Sequence, residues 1–455
     1  MKPLLILCAL VCLASWGTAI SQTTESLNTV AAMSDIGKLR SIAQVHRGEK
    51  IGASAQNRIG MIFYSQKNND AAEREFLITY TQHTDQRAEA MQAAYYLGKI
   101  SLNKEDPKQA MKYFSESLSS GSLVGADIDW ARYYQVKAMY RSEDPSYLTT
   151  VRSYLTGSHD YSKRNDISVR YDLVRYLANK HQYGQALEEA NTIVNLFPND
   201  PLSMNVRFEV GELYFMLGRP QDALNQFSAI LNTAGQDPVV GAHALYQIGV
   251  AYDNEGDLVN ARSTYRKVID AYPTQTRWVN ASEFGIAMIE YREVKPGSSL
   301  DAAYEALHSF VSNHPTDHHV PQALMTLASL NMQRGKYSEA VSEYDQVIQF
   351  DPSLIPIKSK ASLRSNDVNA FRDLVLRAHF AKASLLRTQL VKPDLALAEY
   401  NLILESHPES EEALFCKALS LIQLDRRDEA RGILNNLSSS GTDYGKMAQQ
   451  TLKTL

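Results

Sequence analysis

The sequence predicts an all-α protein made of helical hairpins in series, and three observations predict it. Apolar residues recur at helical spacing nearly throughout the 455 residues, with little strand-like alternation. One arrangement of small, aromatic, glycine and proline residues returns at a near-constant step. Composition is that of a chain able to bury a core, with 44% apolar and 21% charged residues, both near the soluble average.

The arrangement is plainest in YQIGVAYDNEGDLVNARSTYRKVIDAYP, Tyr246 to Pro273. Leu245, Ile248, Gly249 and Tyr252 fall on one helical face; Leu258, Ala261, Tyr265, Val268 and Tyr272 fall on one face of a second helix. Between them Gly256 supplies a helix stop and Asp257 an N-cap oxygen, and Pro273 ends the second helix. Gly249 stands inside the first helix at a cost of about 1 kcal/mol relative to alanine. The expected compensation is packing: with no Cβ there, the helix carrying Ala261 can come close, while Tyr252 and Tyr265 fill the space on either side.

From the start of the chain, MKPLLILCALVCLASWGTAISQ joins Lys2 to an apolar run from Leu4 to Trp16 and then to small residues around Ala19 and Ser21. That is the layout of a secretory signal peptide over residues 1–21, and export is the expectation. Cys8 and Cys12 would leave with it, so that Cys416 alone remains and no internal disulfide can form. Residues 22–50 are expected to be a helical segment.

Residues 51–350 hold the repeated hairpins. Val210, Gly211, Tyr214, Gly218, Ala223 and Phe227 repeat the pattern, as do Leu327, Ala328, Gly335, Ala340, Tyr344 and Pro352. Weaker copies centre on Gly60, Ala72 and Phe76, on Gly98, Ala110 and Phe114, on Ala186 and Pro198, and on Ala303 and Pro315. The alanines Ala72, Ala110, Ala186, Ala223 and Ala261 are separated by 38, 76, 37 and 38 positions, and the double step leaves room for a degenerate unit around Trp130 to Leu155. REVKPGSSLD, from Arg292, interrupts one hairpin. Residues 351–370 form an insert or linker that stretches the spacing from Ala340 to Ala396 to 56. Residues 371–437 carry further units, around Ala396, Tyr400 and Pro408 and around Ala418, Ala430 and Leu434, and residues 438–455 have the makings of a capping helix over the last apolar face.

The small residue, aromatic, glycine, alanine, aromatic and proline at these positions resemble the tetratricopeptide repeat, over most of Gly52 to Leu437. The resemblance implies a right-handed α-solenoid of about nine or ten units whose first helices line a concave groove. It also implies a non-catalytic scaffold or adaptor that binds other proteins through a peptide segment or helix. The step near 38 is similar to that of Gram-negative envelope members of the outer-membrane assembly and Tol-Pal-associated types. That similarity implies a periplasmic location, with secretion or outer-membrane association as alternatives.

On the groove face the fifth repeat position reads Tyr95, Tyr171, Phe208 and Tyr246, with Lys99, Arg175 and Glu212 one turn further on and Asp253 nearby. Rigid aromatics with charged neighbours suit partner binding, although packing between neighbouring helices would use the same residues. No zinc-protease, phosphate-loop or nucleophile-elbow motif occurs, so no catalytic residue and no cofactor is expected. Cys416 lies in the helical run EEALFCKALSLI and reads as a small apolar residue. NHPTDHHVP gathers His314, Asp317, His318 and His319 between hairpins; adjacent histidines usually point apart, and helix punctuation rather than a metal site is expected. A net charge of −5 argues against a nucleic-acid partner, and after the first segment no apolar run could cross a membrane. The alternative function is glycan binding or processing in the periplasm, for which Trp130 and Trp278 are few stacking surfaces.

Overall fold

The computed structural model describes residues 26–123, 125–157, 163–234, 236–354 and 367–455. The expected signal peptide and residues 355–366 of the expected insert lie outside the described residues. The chain divides after Lys180 into two compact units.

The first unit contains α1 (Leu27–Ala32), α2 (Ile36–Val45), α3 (Lys50–Ser65), α4 (Asn69–Gln82), α5 (Arg87–Asn103), α6 (Pro107–Ser119), α7 (Ala126–Arg141), α8 (Tyr147–Thr156) and α9 (Lys163–Asn179). The second contains α10 (Tyr183–Leu196), α11 (Pro201–Met216), α12 (Pro220–Ala234), α13 (Pro238–Glu255), α14 (Leu258–Ala271), α15 (Thr276–Arg292), α16 (Asp301–Asn313), α17 (Val320–Gln333), α18 (Tyr337–Gln349), α19 (Asp367–Thr388), α20 (Pro393–Ser406), α21 (Glu411–Gln423), α22 (Arg427–Ser438) and α23 (Asp443–Leu452). No strand occurs among the described residues. Within each unit consecutive helices pack as hairpins, and each hairpin packs on the next, the stacked helical architecture that the sequence predicts.

Local chemistry starts and stops the helices where the spacing requires. Side chains of Asn68, Asp106, Asp200, Asp237, Asp257, Ser410 and Thr442 accept hydrogen bonds from first-turn amides. Prolines occupy the first turn of α6, α11, α13 and α20, where a missing N–H costs nothing. At the hairpin turns Gly218, Gly256 and Gly335 take positive φ of 68°, 80° and 70°. Each lies five residues before a buried alanine, Ala223, Ala261 or Ala340. The same turn position is filled without glycine by Lys67, Glu105, Val391 and Asp425, at φ between 51° and 61°.

The repeated alanines are where two helices of a hairpin meet. Ala72, Ala110, Ala186, Ala223, Ala261, Ala340, Ala396 and Ala430 are fully buried, and so are Phe76, Phe114 and Phe227 four residues beyond the first, second and fourth of them. One expectation needs correction. A Cβ built on Gly249 would meet the Tyr265 ring at 2.6 Å, not the backbone of the Ala261 helix. The glycine is a socket for an aromatic ring sixteen residues on. Gly60 does the same for Phe76, Gly98 for Phe114 and Gly211 for Phe227. Tyr265 is held on both sides, because a Cβ on Gly285 of α15 would lie 2.7 Å from the opposite edge of its ring. Burying each such ring contributes about 1.5 to 3 kcal/mol, more than the glycine costs.

The degenerate unit is the pair α7 and α8, in which Tyr147 and Val151 are buried. Residues 293–300 do separate α15 from α16, with Gly297 at φ 81°. The final helix, α23, lays Ala448 against Leu434 and Leu437 of α22.

Candidate functional site

Each unit has a candidate surface of its own, the first-helix row of its hairpins. In the first unit α5 places Tyr95 and Lys99 one turn apart. Four rings surround the Lys99 ammonium: Tyr64 from α3 at 4.9 Å, Tyr95 at 5.2 Å, Tyr96 at 5.0 Å and Tyr134 from α7 at 5.6 Å. The electron-rich faces of tyrosines attract a cation at this range.

Burial lowers the Lys99 pKa, while the Asp127 carboxylate on α7 opposes that shift. Burial in turn raises the Asp127 pKa, with Lys99 working against it. The Tyr134 phenol is pushed up to about 12, chiefly by burial. The result is a half-buried cation inside an aromatic box, with a carboxylate in its field. Tyr95 itself is only 4% exposed and serves as a wall of the box.

On α9, Tyr171 is buried, and the Arg175 guanidinium stands 5.9 Å from its ring centre. Beside them an ion pair between Lys137 and Asp172 ties α7 to α9.

In the second unit Phe208 on α11 is buried and stacks on His243 of α13, with ring centres 3.8 Å apart and planes within 13°. His243 stacks in turn on Trp278 of α15, at 4.1 Å and 9°. Tyr246 leans on both Trp278 and Tyr265, at 5.4 and 5.8 Å. The Arg277 guanidinium stands 4.7 Å from the Trp278 ring centre. Three first helices are thereby joined by one aromatic column. Asp253 makes a 2.6 Å ion pair with Arg292 of α15, and Glu212 lies half-buried on α11.

The structure therefore brings Tyr95 together with Lys99, Tyr171 with Arg175, and Phe208 with Tyr246 through His243 and Trp278. It engages Asp253 with a neighbouring hairpin. Sequence reasoning did not single out Tyr64, Tyr96, Tyr134, His243 or Trp278 as parts of the row. A signal exists for some of them: Tyr134 follows Tyr96 by 38 positions, the repeat step, and Phe208, His243 and Trp278 are each 35 apart.

Two other places bear on chemistry. Burial pushes the Cys416 thiol up, away from the reactive thiolate. Asp317, His318 and His319 place possible ligand atoms within 4.8 Å of one another, so these adjacent histidines do not point apart as expected.

Three segments match family models described as tetratricopeptide repeat: residues 171–239, 243–274 and 321–354. The chain carries such repeats in these segments. Nothing among curated proteins matches it. Among solved structures it is similar to the APC/C hetero-tetramer Cut9-Hcn1, with 15% identity over 95% of this chain and 99% of that one and a TM-score of 0.33. It is also similar to the P58(IPK) TPR domain, with 14% identity over 88% and 98% of the two chains and a TM-score of 0.28.

Proposed function

We propose that this chain is a non-catalytic protein-interaction scaffold that receives a peptide segment or helix of its partner along the first-helix row of its repeats. The observation that carries the reading is the Lys99 box. A half-buried ammonium among four tyrosines, with the Asp127 carboxylate in its field, offers a directional positive contact on a rigid aromatic frame. Such a feature suits recognition of an acidic or carbonyl-rich segment. The tetratricopeptide repeats at 171–239, 243–274 and 321–354 support protein partners as a class.

Within this reading Tyr95 and Tyr171 build the wall of the first unit's row and Phe208 that of the second, while Lys99 and Arg175 in the first and Glu212 and Tyr246 in the second are the groups a partner touches. Location belongs to the same proposal: the basic, apolar and small-residue succession of residues 1–21 supports export to the periplasm and a place in an envelope complex. Glycan binding has less support, since Trp278 is stacked on His243 and Trp130 on Tyr134.

The test is affinity capture from the native compartment with wild-type protein and with Lys99→Glu and Tyr246→Ala. A partner retained by wild type and lost from both variants, with helical circular dichroism unchanged, supports the row. Capture that is indifferent to both substitutions sends the binding surface elsewhere.

A further inference from the structure

The connection from α16 to α17 holds a cluster that the interaction surface does not use. Asp317 opens a tight turn there. Its Oδ1 accepts from the His319 backbone amide at 2.9 Å, and this contact folds the next two residues back toward the carboxylate. Both imidazoles then face one oxygen. His319 Nδ1 lies 2.8 Å from Asp317 Oδ1 and His318 Nδ1 lies 3.5 Å from the same atom, with the two ring centres 3.9 Å apart.

We propose that Asp317, His318 and His319 form a three-ligand site for a divalent cation of the zinc type. The distances suit it. Metal–nitrogen bonds of about 2.0–2.1 Å and metal–oxygen bonds of about 2.0–2.2 Å set tetrahedral ligand atoms roughly 3.3 Å apart. The two nitrogen-to-oxygen distances fall on either side of that value and the ligand atoms all lie within 4.8 Å of one another, so a cation could replace the proton between His319 and Asp317 once the rings adjust around it. Each imidazole would present Nδ1 and keep its proton on Nε2.

The surroundings hold the ligands in place. Asn280 Nδ2 on α15 donates to Asp317 Oδ2 at 3.0 Å, leaving Oδ1 turned to the histidines. The His319 ring stacks on Phe284 of the same helix, at 4.8 Å and 26°. Outer contacts of this kind orient metal ligands. The Asp317 carboxyl is held well below the usual carboxylate range: burial alone would raise it, but hydrogen bonds from the His319 side chain and backbone and from Asn280 outweigh burial. The Asp317 side chain is 9% exposed, against 32% for His318 and 21% for His319, so the site opens on the histidine side and leaves a fourth position for water. Mixed imidazole and carboxylate donors favour zinc over magnesium or calcium, which prefer all-oxygen shells.

The turn and Asn280 account for Asp317 on packing grounds. A second imidazole stands against the same oxygen, with the ligand atoms of all three residues within 4.8 Å of one another, and a cation would join them.

The experiment is calorimetric titration of Zn²⁺ into the full chain, followed by visible absorption with Co²⁺ in its place. One saturable site is expected in the wild type, with affinity lowered on the order of tenfold or more by His318→Phe and by His319→Ala. His318→Phe retains a ring against its neighbour and removes both nitrogens, so folding is preserved by design and circular dichroism checks it. A Co²⁺ band typical of tetrahedral coordination should appear in the wild type and vanish in both variants. Absence of saturable binding overturns the site, and so does binding of equal strength in the wild type and both variants, which would place the metal on other histidines.

Discussion

The Cε1 atom of Tyr265 lies 2.6 Å from where a Cβ on Gly249 would stand. Real Cβ atoms do not come so close to a ring, so the two residues define one object, a glycine socket and its aromatic insert. The hydrophobic gain of the ring exceeds the helix penalty of the glycine, and a Cβ at position 249 would force the Tyr265 ring to shift.

Gly249→Ala should therefore destabilise the second unit by about 1 to 3 kcal/mol through overpacking, against the helix-propensity trend. Gly432→Ala, also within a helix but with nothing within 4 Å of the added Cβ, should stabilise by about 0.4 to 1 kcal/mol. Urea unfolding of the two variants checks both signs at once. Equal shifts would mean that the socket carries no packing constraint.

Val391 occupies the left-handed turn position with φ 51° and is 71% exposed. A branched side chain is poorly suited to that conformation, and little packing would be lost on removing it. Val391→Gly should raise stability by roughly 1 kcal/mol, because relief of the left-handed strain exceeds the added freedom of the unfolded chain. The measurement is the thermal midpoint, and a fall in the midpoint would refute the strain argument.

Glu343 on α18 is buried and accepts from Asn331 Nδ2 at 2.7 Å. Burial, against the opposing Asn331 hydrogen bond, pushes its carboxyl up to about 7, from an ordinary value of 4.5. The folded state thus holds a proton that the unfolded state gives up first. Its contribution is complete below pH 4.5 and is lost as pH rises toward about 7. Glu343→Gln should remove this part of the pH dependence and be the more stable form at pH 8. Parallel unfolding midpoints of variant and wild type from pH 5 to pH 8 would count against it.

Lys99→Met should change stability by no more than about 1 kcal/mol, since loss of the cation–π attraction is offset by relief of a desolvated charge. Tyr95→Ala, which empties a buried wall position, should cost about 3 to 5 kcal/mol. Chemical denaturation distinguishes them. A large loss with Lys99→Met would make the ammonium a structural strut rather than a surface offered to a partner.

The hairpins were legible in the sequence because their determinants are local: a cap such as Asp257, a stop such as Gly256, and a small residue at a fixed distance from an aromatic. Weaker copies are weak for a physical reason. At Lys67, Glu105 and Asp425 the left-handed turn is made without glycine, so the usual stop signal is missing although the backbone path is kept. Glu143, at φ 54°, falls 38 residues after Glu105 and marks the turn of the degenerate unit, whose alanine is absent. The candidate surface was legible only in part. Tyr95 and Lys99 could be placed on one face of one helix, but the rings of Tyr64 and Tyr134 reach Lys99 from two other hairpins, and no periodicity encodes that convergence. The paired histidines depend on a single Asp317 turn, which spacing does not reveal.

Because Gly285 receives the far edge of the Tyr265 ring, that side chain belongs to two successive hairpins at once. Neither can detach without stripping an aromatic face bare to water. Unravelling in this stretch would thus proceed in blocks of at least two repeats, and a lesion at either glycine would loosen its neighbour as well as itself.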